Sequence, residues 1–249
     1  MGDAWMCLPA LVEQCKRFNE VQLVCGSYAL PVWEWAKKHV RGADYNIVRV
    51  IDDPDDISAE FCPGYGFISM SKALAFVQRE MPGETVIGHV EMGSYYGYSD
   101  QAPNPHVDGG PKYWRGDGLP PLELIDIEVS DGEAVVVHPY TRHDWKNLNL
   151  IIGRVEFKRP VKVVGLPGEF SGPPAWDAIH GFDAMVEQTV RSAGMVGILS
   201  SFTNLAALFH KKQIIVSFTP DIPILNPRAK KLITPSLGHL QAVVTEMGF

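Results

Sequence analysis

Common signatures are missing from this 249-residue sequence, and each absence excludes a class of protein. It contains no run of about 18 apolar residues, so it predicts no membrane-spanning helix. Neither a Gly-rich dinucleotide fingerprint nor a P-loop occurs, which weighs against a generic nucleotide-binding α/β protein. The N-terminus lacks a basic segment followed by an apolar one, so we expect no signal peptide.

Cysteine is scarce and poorly spaced for binding a metal. All four cysteines lie in the first quarter of the chain, and none forms a C-x-x-C pair: Cys7, Cys15, Cys25 and Cys62. Because a structural zinc site needs clustered ligands at short spacing, this arrangement predicts none. We interpret the four residues as reduced, mostly buried cysteines of a cytoplasmic protein.

Positive charge is in the minority. Lys and Arg number 22 against 29 Asp and Glu, which gives a formal net charge of −7. Nonspecific duplex binding depends on neutralising phosphates, so nucleic acid is an unfavoured partner, with a local basic groove as the open exception. Apolar residues make up 46% and charged residues 20% of the chain, a globular composition that excludes bulk disorder.

The sequence alternates short β-rich runs with helical stretches. In the first half, strands are predicted at 21–25, 47–51 and 85–90, and helices at 6–18, 31–40 and 70–80. In the second half, strands are predicted at 134–137, 161–164, 195–199 and 214–216, and helices at 182–192 and 204–210. This rhythm predicts the α/β class, with parallel sheets covered by helices on both faces.

A long irregular segment separates the two halves. Residues 93–121 are rich in Gly, Pro, Tyr and Asp and show no sustained periodicity, so they are predicted to form a loop. We therefore expect two α/β lobes, at residues 1–130 and 131–249.

Two loops of the second lobe hold groups suited to an anion, because ligands of open α/β sheets bind beyond the carboxyl ends of strands. The loop after Val137 contains Thr141, Arg142 and Lys146, and Arg and Lys suit phosphate oxygens. A solvated loop is the alternative there. The second loop opens a helix, whose free N–H groups favour a diphosphate, with simple N-capping as the alternative. Its residues are Ser200, Ser201, Phe202, Thr203 and Asn204.

Other polar features carry weaker interpretations. The acidic residues at 52–56 either bind a divalent ion or, as we favour, form a solvated turn. His106 and Asp108 resemble a metal or catalytic loop only by residue type. Tyr95 and Tyr96 either stack on a sugar or base or pin the long loop to the lobes.

The opening segment carries a family resemblance. Residues 2–11, GDAWMCLPAL, resemble the GD-x-(3–4 residues)-LPAL start of the heptosyltransferase-like glycosyltransferases, the ADP-heptose:lipopolysaccharide heptosyltransferase family. Residues 137–147 are similar to that family's strand, loop and K-x-W segment. Residues 195–221 align without gaps to its strand, D-(S/T)-G-x-x-H-L-A-A helix and next strand. The resemblance covers most of the chain in order.

The sequence also departs from the family pattern. The Asp, Gly and His of the helix motif fall on Leu199, Ser201 and Asn204. The Trp of K-x-W falls on Leu148, unless Trp145 replaces it. The chain is short for the family, mostly in the first lobe, whose first strand is missing, so we expect either a trimmed start or a reduced first lobe. These departures leave the base and the sugar of the donor open.

The resemblance implies a GT-B architecture, with two Rossmann-like lobes facing a cleft, the acceptor on the first and the nucleotide sugar on the second. In it, Asp3 matches the proposed general base. Thr141, Lys146 and the backbone at 200–204 would hold the diphosphate, with Arg142 as a weaker contact. Three residues of the long loop would contact the acceptor: Tyr95, Tyr96 and His106. GT-B enzymes usually need no metal, so we expect no cofactor.

The expected function is transfer of a sugar, a hexose or heptose, from a nucleoside diphosphate donor to an unidentified acceptor. A glycan or lipid glycan is preferred over a modified nucleic-acid base as that acceptor. The rival is a catalytically silent relative that binds a nucleotide or glycan as a partner or scaffold. Loss of the motif at Leu199, Ser201 and Asn204 supports the rival, and retention of Asp3 and Lys146 opposes it.

Overall fold

A computed structural model describes residues 2–26, 29–51, 79, 122–139, 148–165, 176–217 and 226–249. The chain divides into two compact units, one with residues 7–115 and the other with residues 2–6 and 116–249. The first turn of the N-terminal helix is therefore grouped with the second unit. The predicted boundary lay at residue 130, and the acceptor and donor roles given to the two halves stay predictions.

The first unit contains alternating helices and strands. Its described elements are helix α1 (Gly2–Arg17) from residue 7 onward, strand β1 (Gln22–Gly26), helix α2 (Leu30–His39) and strand β2 (Asn46–Ile51). The two strands pair in parallel, as the βαβ rhythm predicts. Pro31 lies in the first turn of α2, where the missing N–H would have had no intrahelical acceptor. The predicted helix at 70–80, except helical Arg79, and the predicted strand at 85–90 lie outside the described residues.

Helix α1 holds a proline close to the place where the chain passes between the units. Pro9 lies inside the helix and has no N–H to donate to the carbonyl of Trp5, four residues earlier. The unit boundary falls between Met6 and Cys7. Helix α1 therefore lacks the hydrogen bond from residue 9 to the Trp5 carbonyl, close to the boundary between the units.

The second unit is built on a six-stranded, fully parallel sheet. In chain order its elements are β3 (Val135–His138), α3 (Asn149–Ile152), β4 (Val161–Val164), β5 (Asp177–Ile179), α4 (Phe182–Val190), β6 (Gly194–Ile198), α5 (Ser201–Leu208), β7 (Gln213–Ser217), β8 (Ala229–Ile233) and α6 (Leu237–Met247). The strands lie in the order β5-β4-β3-β6-β7-β8. This is the doubly wound arrangement of dinucleotide-binding sheets.

The central strands are covered on both faces. Every residue of β3, β6 and β7 is buried, as expected for a parallel sheet with helices on each side. Their side chains form one core with those of α3 and α6, including Val135, Val196, Ile214 and Val244. None of the helices in the described ranges is long and apolar enough to span a bilayer.

Four elements of this unit were not predicted from the sequence. Strands β5 and β8 lie at the two edges of the sheet and are largely exposed or half-buried, so they lack a continuous apolar run. Helix α3 has a single turn. Helix α6 does carry sequence signals: Ser236 Oγ accepts a hydrogen bond from the His239 N–H at 3.2 Å, and Gly248 ends the helix at a φ of 73°.

Candidate functional site

The candidate site lies at the carboxyl edge of the six-stranded sheet, where β3 and β6 end side by side. The parallel register pairs His138, the last residue of β3, with Gly197 in β6. From β3 the chain runs outward through β4 and β5, then returns to β6 and continues to β7. Crossovers therefore leave β3 and β6 in opposite directions, and a crevice opens at this point in doubly wound sheets.

Gly197 allows the backbones at this edge to approach closely. A Cβ atom at residue 197 would lie 2.8 Å from the His138 carbonyl oxygen and 3.4 Å from Thr203 Cγ2. The first distance is shorter than van der Waals contact allows. Glycine is therefore required for α5 to begin directly against the end of β3.

Ser200 and Thr203 form a capping box at the N-terminus of α5. Thr203 Oγ1 accepts a hydrogen bond from the Ser200 N–H at 2.7 Å and donates one to the Ser200 carbonyl at 2.9 Å. Ser200 Oγ faces the Thr203 backbone as in a capping box, yet it is buried without a hydrogen-bond partner. Intrahelical bonding starts with the Asn204 N–H. The N–H groups of Ser201 and Phe202 have no intrahelical acceptor, as at any helix start, so anion binding at this end of α5 stays a prediction beside simple capping.

His138 places a neutral imidazole at the same edge. His138 is 8% exposed, and the centroid of its ring lies 5.3 Å from the centroid of the Phe202 ring. Burial lowers the pKa of His138 from its ordinary 6.5 to about 4, so the ring is uncharged at neutral pH. Its Nδ1 atom is buried, and none of the described residues forms a hydrogen bond with it. His138 Nδ1 and Ser200 Oγ are thus two buried polar atoms with unused bonding capacity beside the start of α5.

Trp5, from the part of α1 that belongs to the second unit, packs against the starts of two helices. Its indole N–H donates a hydrogen bond to Ser201 Oγ at 3.0 Å. Its ring stacks on Phe182, the first residue of α4, with centroids 6.0 Å apart and planes 3° from parallel. Trp5 is 0% exposed. The hydroxyl at the first position of α5 is therefore held by a fixed donor.

A buried pair of amides supports the first turn of α5 from below. The Gln213 side-chain N–H donates to the Thr203 carbonyl at 2.7 Å. The Asn226 side chain donates to Gln213 Oε1 at 2.8 Å and to the Lys211 carbonyl at 2.6 Å. These bonds tie the start of α5 to β7 and fix its direction.

The structure brings together one of the two predicted anion-binding loops. Ser200 to Asn204 lie at the start of α5, beside His138. Asp3 lies in the first turn of α1, where the backbone alone is described. The remaining predicted site residues lie outside the described residues: Thr141, Arg142, Lys146, Tyr95, Tyr96 and His106. Their roles stay predictions.

Sequence reasoning did not single out Trp5, His138, Gly197 or Gln213. One signal was available for His138, because it is a polar residue that ends an apolar strand. Trp5 gave none, because its partner Ser201 is 196 residues away. Among the described residues, no group of three His, Cys, Asp or Glu side chains is placed to hold a metal ion.

The buried His138 predicts acid sensitivity of the fold. The folded-state pKa is about 4 against an ordinary 6.5, so the unfolded chain binds more protons between these values. The contribution of the neutral His138 to the free energy of unfolding is fully present above pH 6.5 and is lost as the pH falls to about 4. The shift is worth about 3 kcal/mol, at about 1.4 kcal/mol per pKa unit. Urea unfolding from pH 7 to pH 4 should show this loss in wild type and not in His138→Asn.

A matched control separates His138 from the other histidines. His239 is exposed in the first turn of α6, so His239→Asn should keep the wild-type pH dependence. A His138→Asn variant that loses stability with acid as steeply as wild type would contradict a buried, neutral imidazole.

Comparison with known proteins supports the fold. No protein-family model and no curated protein matches the chain. Two solved structures of E. coli heptosyltransferase WaaC are similar over 99% of this chain and 95% of theirs. The one with ADP-2-deoxy-2-fluoro heptose has a TM-score of 0.54 at 16% identity, and the one with ADP has 0.52 at 14%. The chain thus has a heptosyltransferase-like GT-B fold of the α/β class, which confirms the predicted fold class.

Proposed function

We propose that the protein is a nucleotide-sugar glycosyltransferase that moves a hexose or heptose to a glycan or lipid-glycan acceptor. The observation that carries this is the start of α5, where two buried polar atoms, Ser200 Oγ and His138 Nδ1, have no close hydrogen-bond partner among the described residues. The similar WaaC structures hold ADP or an ADP-sugar analogue in the same fold class. An anion at this switch point agrees with both facts.

The donor diphosphate would bind at the start of α5. The backbone N–H groups of Ser201 and Phe202 and the Ser201 hydroxyl would donate to its oxygens, and the positive end of the helix favours its charge. His138 is neutral and adds a hydrogen-bonding atom rather than a charge. In this proposal Lys146 and Arg142 supply the positive charge, and Thr141 a further hydroxyl.

Transfer would follow an inverting displacement. Asp3 would take the proton of the acceptor hydroxyl as its oxygen bonds to the anomeric carbon. The bond from that carbon to the diphosphate oxygen breaks, and the donors at α5 stabilise the charge on the leaving group. Tyr95, Tyr96 and His106 would contact the acceptor. The proposal needs neither a metal nor a cofactor, and it places the reaction in the cytoplasm.

The silent relative remains the second candidate, because the family's Asp, Gly and His fall on Leu199, Ser201 and Asn204. Asn204 is 6% exposed, so its side chain belongs mainly to the protein interior. In this candidate the same helix start binds a nucleotide without turnover.

Thermal unfolding with nucleoside diphosphates tests the binding half of the proposal. At a concentration about 100-fold above Kd, a ligand that binds only the folded state adds about 2.7 kcal/mol to stability. ADP, GDP, UDP and CDP are compared with their sugar conjugates and with inorganic pyrophosphate. We expect a selective rise in Tm with one base. Cooperative melting with no rise in any of these ligands would overturn the proposal.

A further inference from the structure

Ser201 is the first residue of α5, and its hydroxyl has one hydrogen to donate and two lone pairs to accept with. One lone pair is used by the Trp5 indole N–H, at 3.0 Å. An indole nitrogen donates only, so the hydroxyl hydrogen must point away from Trp5. Within the described part of the chain, no protein acceptor takes that hydrogen.

Trp5 is itself held in place. The stack on Phe182 fixes the plane of the indole, and full burial prevents the ring from turning into solvent. A phenylalanine ring would fill most of the same space, so packing alone does not require an indole. The feature that only tryptophan supplies here is the N–H aimed at Ser201.

We propose that Trp5 is a positioning residue for the donor. Its indole N–H donates to one lone pair of the Ser201 hydroxyl, and this bond directs the hydroxyl hydrogen to the diphosphate at the start of α5. This inference rests on the proposed function. Asp3 and Trp5 are two residues apart in α1 and so do not share a helix face. The role of Trp5 is therefore separable from that of the proposed base.

Two substitutions test the link between the residues. Trp5→Phe keeps a ring on Phe182 and removes the N–H, and Ser201→Ala removes the hydroxyl. Calorimetric titration uses ADP, GDP, UDP, CDP and inorganic pyrophosphate. Ser201→Ala removes a hydrogen bond to a charged group and should raise Kd by about tenfold or more. Trp5→Phe leaves the hydroxyl without a fixed orientation and should raise Kd in the same direction, by no more than Ser201→Ala. The double variant should bind no more weakly than Ser201→Ala.

Two control variants make the same types of substitution elsewhere in the protein. Trp35→Phe changes a buried tryptophan of α2 in the first unit, and Ser236→Ala changes a serine at the start of another helix. Both should keep the wild-type Kd. If wild type binds none of the five probes, the proposed function fails and this inference fails with it. If wild type binds and Trp5→Phe binds equally well, or the two effects add, only the inference is overturned.

An NMR measurement does not depend on the folding of Trp5→Phe. The chain has six tryptophans, so their indole N–H signals are few enough to resolve. The signal displaced by Ser201→Ala belongs to Trp5, and it should shift when a bound diphosphate takes the Ser201 hydrogen. Measurable binding with no shift of that signal would overturn the inference.

Discussion

Replacement of Lys211 by methionine should lower the free energy of unfolding by about 3 kcal/mol. Lys211 is 1% exposed, just before β7 at the amino edge of the sheet. Its ammonium donates to the carbonyls of Ser130 and Ser192, the latter at 3.1 Å, and lies 3.8 Å from Asp131. Methionine fills the space of the stem but leaves two carbonyls without this donor, and each unsatisfied group costs about 1–3 kcal/mol.

Burial of the ammonium offsets part of that loss. Desolvation lowers the pKa of Lys211, and the carboxylate of Asp131 opposes this effect only partly. Removing the charge therefore recovers some desolvation free energy, and for this reason the expected cost stays below the sum of the two bonds. The bonds join the segments that lead into β3, β6 and β7, so the whole sheet should lose stability together.

The neighbouring lysine provides the control. Lys212 is exposed, so Lys212→Met should change the unfolding free energy by less than about 0.5 kcal/mol. Urea unfolding followed by circular dichroism compares the two variants with wild type. Equal stability of Lys211→Met and Lys212→Met would show that the ammonium bonds contribute nothing net.

Replacement of Asp3 by asparagine should lower turnover by about 10²–10⁴-fold if the protein is a glycosyltransferase. Asparagine keeps the size of the side chain but cannot accept the acceptor's proton, and general-base catalysis contributes a factor of this size. Donor affinity should change little, because the proposed diphosphate donors belong to α5 and the loop at 141–146. Single-turnover transfer or hydrolysis of the sugar nucleotide that raises Tm gives the rate, and calorimetry gives the affinity.

Asp183 is the matched control for this change. It lies in the first turn of α4, is exposed, and like Asp3 is the second residue of its helix. Asp183→Asn should retain wild-type turnover. Nucleotide binding without turnover in wild type would favour the silent relative, and full turnover in Asp3→Asn would remove Asp3 from the base role.

The sequence predicted secondary structure correctly where the residues of a segment determine its conformation themselves. The buried runs at Val135 to Val137 and Ile214 to Val216 predict strands because only apolar residues fill a covered sheet. The start of α5 was placed three residues late, because the prediction did not treat extended Ser200 as the residue before the helix. Edge strands β5 and β8 were missed because neighbours, rather than their own apolar content, hold them in the sheet.

The site was predictable only in part, for a related reason. Ser200 to Asn204 follow a strand and open a helix, and both facts are local. The burial of His138 depends on Gly197 and Phe202, which lie about sixty residues later in the chain. The residues around His138 in the sequence therefore do not predict its lowered pKa. The Trp5 contact depends on a residue 196 positions away in a chain of 249 residues.

That separation also orders events during synthesis. Chains grow at about 5–20 residues per second, so Trp5 is made about 10–40 s before Ser201, its partner 196 residues later. Closing so long a loop is entropically costly until both ends have surfaces to bury. The indole therefore has no acceptor until α5 has been made, and the edge of the sheet that would receive the donor cannot be complete before that point of synthesis.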